Sequence, residues 1–123
     1  GTSGYGMIAA PGNDPYVITV GAMKTSGTPL RSDDRIASYS AKGPTAIDHV
    51  VKPDLVAPGN RVVSTSFGGY FSNSFPINVI PLSYYTTLTN FLAGVASPVY
   101  YKLSGTSMAA PAVAGAAAPH GSP

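Results

Sequence analysis

Two stretches carry the clearest pattern of apolar and polar positions. From Tyr16 to Ala22 the chain reads Y-V-I-T-V-G-A, β-branched and nearly continuous in hydrophobicity. A run without polar alternation predicts a strand buried on both faces, as in a parallel sheet. From Met108 to Ala118 nearly every residue is Ala, Val or another small apolar type. Alanine is the strongest helix former, so this run predicts a helix. Pro111 falls early in it, and the first turn tolerates proline because its missing N–H has no carbonyl to bond there. The helix is therefore expected to begin at about Thr106 to Met108, with Thr106 or Ser107 near the N-cap. Pro119 cannot continue it, which leaves about three turns.

The remaining pattern is shorter. Ala10 to Pro15 is a turn by composition, and Asp14 reads as a turn residue. Gly1 to Gly6 is loop-like, and Lys24 to Arg35 is a polar surface loop. Arg35 to Pro44 reads as a tightly packed loop of small residues ending in a Gly43-Pro44 turn. Pro53 and Pro58 bracket D-L-V-A, which predicts a short extended piece and not a helix. Asn60 to Ser66 reads as another short strand. Residues 67–102 hold most of the aromatics, and Gly or Pro interrupts every long run. That pattern predicts an elaborated loop, with a hairpin around Tyr84 to Leu92, whose apolar content favours packing over free solvation.

Composition narrows the class. The 123 residues make at most one domain, and 44% hydrophobic content fits a folded chain. A net charge of +2 with 10% charged residues leaves no basic patch for nucleic acid. Cysteine is absent, which removes disulfides and thiol catalysis. No apolar run approaches the roughly 20 residues of a membrane span, so no membrane partner is expected. The chain lacks an initiator Met and a signal peptide, and Gly1 is expected to lie inside a longer protein.

The start of the Ala-rich run also carries candidate chemistry. A serine at a helix N-terminus sits among unpaired N–H groups and the positive end of the helix dipole. Those donors can stabilise an oxyanion that develops beside its hydroxyl. Ser107 therefore fits either a helix cap or a nucleophile, and spacing alone leaves both open. Asp48-His49 is not a dyad, because neighbours in an extended segment point to opposite sides. His49 reads as a solvated loop residue.

G-T-S-M-A-A-P-A-V-A-G, from Gly105, closely resembles the serine-nucleophile motif of the subtilisin-like serine proteases. Ala112 stands where many members carry a His that belongs to no triad. Three further segments resemble that family: the strand ending V-G-A at Ala22, R-I-A-S-Y-S-A-K-G-P from Arg35, and V-V-K-P-D-L-V-A-P-G from Val50. The resemblance implies an α/β fold, with a parallel sheet flanked by helices and the nucleophile at a helix N-terminus. It implies peptide-bond hydrolysis by an Asp-His-Ser triad, with Ser107 as nucleophile and Thr106 supporting the oxyanion. Tyr39 and Gly105 would border the substrate cleft, with a core role for Tyr39 equally open. Asp54 is then a structural carboxylate and not the triad Asp.

The family's Asp, His and oxyanion-hole Asn motifs are missing. Residues 1–123 are thus expected to be the C-terminal part of a catalytic domain whose upstream half is absent, with residues 119–123 a divergent tail. The chain alone is expected to be inactive, and the missing N-terminal part is a candidate partner beside the polypeptide substrate. No cofactor or metal is needed for the chemistry. The resemblance admits a structural calcium ion in the full-length member, with the turn before Tyr16 a candidate for a weak cation site, and it implies secretion. Two alternatives stand beside this reading. One is a non-catalytic peptide-binding or interaction module derived from a protease. The other is an α/β-hydrolase esterase, which the absence of any Asp or Glu after Ser107 disfavours.

Overall fold

The computed structural model describes residues 4–66, 74–85 and 99–120. These divide into one unit of Gly1–Asn60 with Ser104–Pro123 and a second of Arg61–Leu103. The first unit holds strands β1 (Gly4–Tyr5), β2 (Val20–Lys24), β3 (Arg35–Ile36), β4 (Ala41–Lys42) and β5 (Leu55–Pro58). Helix α1 (Thr106–Ala117) packs against β2 and β5. The pairs β1–β4 and β2–β5 are parallel, and β3 joins the other edge of β2 antiparallel.

The core is built from small side chains. Ala22 of β2 stands opposite Ala57 of β5, and both are buried. Ala109 of α1 joins them with Ala37, and Val20, Tyr39 and Val113 pack around the cluster. Alanines at these positions let the helix and the strands approach closely. The other face of β2 is equally tight. A Cβ on Gly21 would lie 2.9 Å from the Pro53 ring and 3.1 Å from the Ser40 hydroxyl. Strand β2 is therefore buried on both faces, as its apolar run predicts.

That strand is shorter than the run. Tyr16 to Thr19 lie outside it, with Tyr16 96% and Ile18 67% exposed. Asp14 bends the chain over these residues: its carboxylate accepts the Tyr16 N–H at 2.8 Å and its carbonyl the Val17 N–H at 3.4 Å. Such local side-chain capture competes with the ladder, and hydrophobicity does not register it. Asp14 is the turn residue that composition predicts. The loop-like Gly4–Tyr5 does enter a ladder, continued by the Met7 N–H on the Lys42 carbonyl at 3.3 Å.

Lys52 and Asp54 join the two central strands beyond their ladder. Lys52 is 3% exposed, and its ammonium donates to Asp54 Oδ2 at 2.8 Å and to the Val17 carbonyl at 2.7 Å. The same carboxylate oxygen accepts the Thr19 N–H at 2.7 Å, while the Asp54 N–H donates to the Thr19 carbonyl at 2.9 Å. The K-P-D motif thus satisfies a buried ammonium whose isolation would be costly. Its other end is clamped too. The Gly43 N–H donates to the Lys52 carbonyl at 2.7 Å, where a side chain on Gly43 has no room.

In the second unit, β6 (Val62–Ser66) and β7 (Val99–Leu103) pair antiparallel from Val62↔Leu103 to Ser66↔Val99. Residues 99–102, within the stretch read as a loop, are therefore strand. Short 3₁₀ turns occupy Pro76–Asn78 and Leu82–Tyr84. Tyr101 is buried and its hydroxyl donates to the Phe75 carbonyl at 2.7 Å. Tyr85 and Tyr100 meet edge to face with centroids 4.8 Å apart. Most of the hairpin expected around Tyr84 to Leu92 lies outside the described residues.

The Lys52 ammonium, then the Thr19 N–H, hold the Asp54 carboxyl below the usual carboxylate range. The folded chain binds this proton more weakly than the unfolded chain. Its stabilisation is complete above about pH 4 and is lost as the pH falls further. Asp54→Asn is expected to lower the urea midpoint at neutral pH and to flatten its decline on acidification. Urea titrations at a series of pH values check this.

Candidate active site

Gly105 opens the site. Its N–H donates to the Gly59 carbonyl at 2.8 Å, and its carbonyl accepts the Met108 N–H at 3.1 Å as α1 begins. Gly105 is the N-cap and supplies no side-chain cap. Thr106 and Ser107 are the first two helical residues, and their N–H groups have no acceptor within the helix. Ser107 is exposed, while Gly105 and Thr106 are half-buried.

The cap is thus one residue earlier than the sequence predicts. Pro111 lies sixth in the helix, in the second turn and not the first. The carbonyl its missing N–H leaves unbonded is that of Ser107, four residues back. Tertiary contacts account for the difference: Gly105 is tied to Gly59, and Ala109 is fixed in the core. The α-helix ends at Ala117, as Pro119 predicts, and a 3₁₀ turn follows over Ala118–His120. His120 therefore lies at the opposite end of α1 from Ser107.

Tyr39 is half-buried against the alanine core, and its hydroxyl donates to the Gly59 carbonyl at 2.8 Å. Gly59 is the residue that sequence reasoning passed over, although it closes the A-P-G motif. A Cβ there would lie 2.7 Å from the Gly105 carbonyl oxygen and 2.8 Å from the Ala22 Cβ. Only glycine lets the two chain segments meet at this distance. The structure thus brings Tyr39, Gly59 and Gly105 together directly before Thr106 and Ser107.

The Asp48 carboxylate is engaged by Thr45. It accepts the Thr45 hydroxyl, which itself accepts the Val50 N–H at 2.7 Å. The Thr45 bond, foremost, holds the Asp48 carboxyl below the usual range. His49 is exposed with φ 53° in the left-handed region.

Local hydrogen bonds close the turn before Tyr16 on itself. The carbonyls of Pro11, Gly12 and Asp14 accept the Asp14 N–H, the Thr19 hydroxyl and the Val17 N–H. Among the described residues no three His, Asp or Glu side chains converge as metal ligands. No helix among them is long and apolar enough to cross a membrane.

The profile of the subtilase family matches residues 2–120. The chain belongs to the subtilase family. Its relatives include the serine protease AprX of Bacillus subtilis (strain 168), 38% identical over 111 residues. That match covers 90% of this chain and 22% of the relative. The subtilisin-like protease SBT4.4 of Arabidopsis thaliana is 33% identical over 118 residues, covering 86% of this chain and 14% of the relative. The chain therefore spans less than a quarter of either protein. Subtilase membership accounts for the mixed α/β architecture, with parallel strand pairs and α1 on the sheet, as part of a subtilisin-like fold. It sets aside the α/β-hydrolase esterase.

Two glycines of this subtilase segment make opposite predictions. Gly59→Ala forces α1 away from β5 and is expected to cost about 3 kcal/mol or more. Gly115 sits inside α1 with open space around its Cα. Gly115→Ala is expected to stabilise by about 0.5–1 kcal/mol through helix propensity. Urea unfolding of both variants measures the two shifts.

Proposed function

We propose that this chain carries the nucleophile of a serine endopeptidase. The observation that carries the reading is the Gly105–Ser107 turn. It holds an exposed serine in an uncapped first helical turn, tied by backbone to the sheet. In this reading the Ser107 Oγ attacks the carbonyl carbon of the scissile peptide as a His takes its proton. The carbonyl π electrons move onto oxygen, and the Ser107 N–H donates to that oxyanion. The C–N bond then breaks, the leaving amine takes the proton from His, and an acyl-enzyme remains on Ser107. Water, deprotonated by the same His, releases the acid.

Thr106 supports the oxyanion through its hydroxyl, and Gly105 borders the cleft. Nucleophile, base and oxyanion donors are all protein groups, so the reaction needs no cofactor. A structural calcium ion would belong to the full-length member. The His and Asp come from a segment outside this chain, since neither His49 nor His120 fits the role. The exposure of His49 and the turn of Asp48 toward Thr45 support that assignment, and so does the far-end position of His120. Secretion belongs to the same reading and rests on the family.

Labelling with an active-site fluorophosphonate tests it. The complete catalytic domain is expected to label at one site, and Ser107→Ala to abolish both labelling and peptide hydrolysis. Absence of labelling in the folded, complete domain would leave the non-catalytic interaction module. Thr106→Ala is expected to keep labelling but lower kcat about tenfold, less than loss of a primary oxyanion donor. The 123-residue chain by itself is expected to remain unlabelled, because a serine hydroxyl is a poor nucleophile without an adjacent base.

A further inference from the structure

We propose that Tyr39 is a positioning residue for the Ser107 turn, acting through the Gly59 carbonyl; the proposal rests on Ser107 as nucleophile. The Gly59 carbonyl oxygen accepts two hydrogen bonds, from the Gly105 N–H and from the Tyr39 hydroxyl, each at 2.8 Å. Two donors match the two lone pairs of a carbonyl oxygen. The Gly59 N–H is held as well, on the Met23 carbonyl at 3.2 Å. The peptide that follows Gly59 therefore has little freedom to rotate while the phenol stays in place.

The phenol is itself held. Its ring packs on the alanine core formed by Ala22, Ala37, Ala57 and Ala109. The segment that carries it is tied to β2, because the Ala37 N–H donates to the Ala22 carbonyl at 2.9 Å. The buried Ser40 hydroxyl accepts the Ala22 N–H at 3.1 Å. The hydroxyl thus reaches Gly59 from a rigid mount. Gly105 lies two residues before Ser107, so a rotation of the Gly59 peptide moves the start of α1 and the serine with it. Catalysis is sensitive to such shifts: a misplacement of about 1 Å can cost roughly 100-fold. Loss of one of two anchoring bonds leaves the Gly105 bond intact, and a smaller effect follows.

Tyr39→Phe keeps the ring and removes the anchoring hydroxyl. In the complete catalytic domain, kcat per fluorophosphonate-titrated site is expected to fall about five- to tenfold, with KM within about twofold of wild type. Titration counts only competent sites, so a loss of folded protein alone does not register. Replacing Tyr39 with 4-aminophenylalanine restores an N–H donor at the same ring position and is expected to bring kcat back to within about twofold. An unchanged kcat per site overturns the proposal. A raised KM with kcat preserved also overturns it and places Tyr39 in the substrate cleft. Failure of the amino variant to restore kcat, with its site titre intact, overturns it as well. Ser107→Ala is run in parallel, and wild-type hydrolysis by that variant would refute the nucleophile reading itself, whatever Tyr39 does.

Discussion

One carbonyl group ties the site to the sheet. The oxygen of Gly59, at the end of β5, receives the Gly105 N–H and the Tyr39 hydroxyl. Three segments far apart in sequence meet there: the Tyr39 loop, the A-P-G strand end and the turn that leads into α1. The meeting is possible because Gly59 has no side chain, its Cβ position being occupied by Gly105, Ala22 and Ala109. Steric exclusion and hydrogen bonding therefore act on the same few atoms. The first sets how close the segments come, and the second sets their orientation.

The rest of the first unit supports that contact. Small residues at Ala22, Ala57 and Ala109 bring α1 onto β2 and β5 with backbone close to backbone. A core of this kind buries little apolar area per residue, so hydrophobic burial alone stabilises it weakly. Polar groups supply much of the definition instead. The buried Lys52 ammonium links Val17 and Asp54, and the buried Ser40 hydroxyl completes the backbone bonding of Ala22. Each is a group that would be costly to bury without its partner. The arrangement thus favours one geometry strongly over its neighbours.

This matters for a serine at the start of a helix. The first-turn N–H groups carry partial positive charge only so far as nothing else caps them. Gly105 contributes backbone and no capping side chain, which leaves those donors to whatever approaches Ser107. A hydroxyl residue at that N-cap would compete for the same donors. The helix start is therefore set by a tertiary hydrogen bond rather than by a capping side chain, and the chemistry proposed for Ser107 depends on that substitution.

Much of this was legible along the chain. The apolar run around Val20 marked the doubly buried strand, the prolines around Leu55 marked a short extended piece, and the alanines after Ser107 marked α1. Asp14 read correctly as a turn residue, because turn chemistry is local, whereas the structural role of Asp54 came from the family resemblance and not from local pattern. The family was legible in the motif from Gly105. Where the structure departs from that pattern, a specific hydrogen-bond partner, near or distant, decided the outcome. Tyr16 to Thr19 left the strand because Asp14 and Asp54 took their backbone donors. The helix starts within the expected range, but its cap is Gly105 and Pro111 falls in its second turn, because Gly105 is fastened to Gly59 and Ala109 to the core. The Lys52–Val17 bond and the Tyr39–Gly59 bond join residues 35 and 20 positions apart. Local pattern reports which conformations a segment prefers. Which donor meets which acceptor across such separations is settled only when the segments pack, because a hydrogen bond depends on distance and direction that no single segment contains.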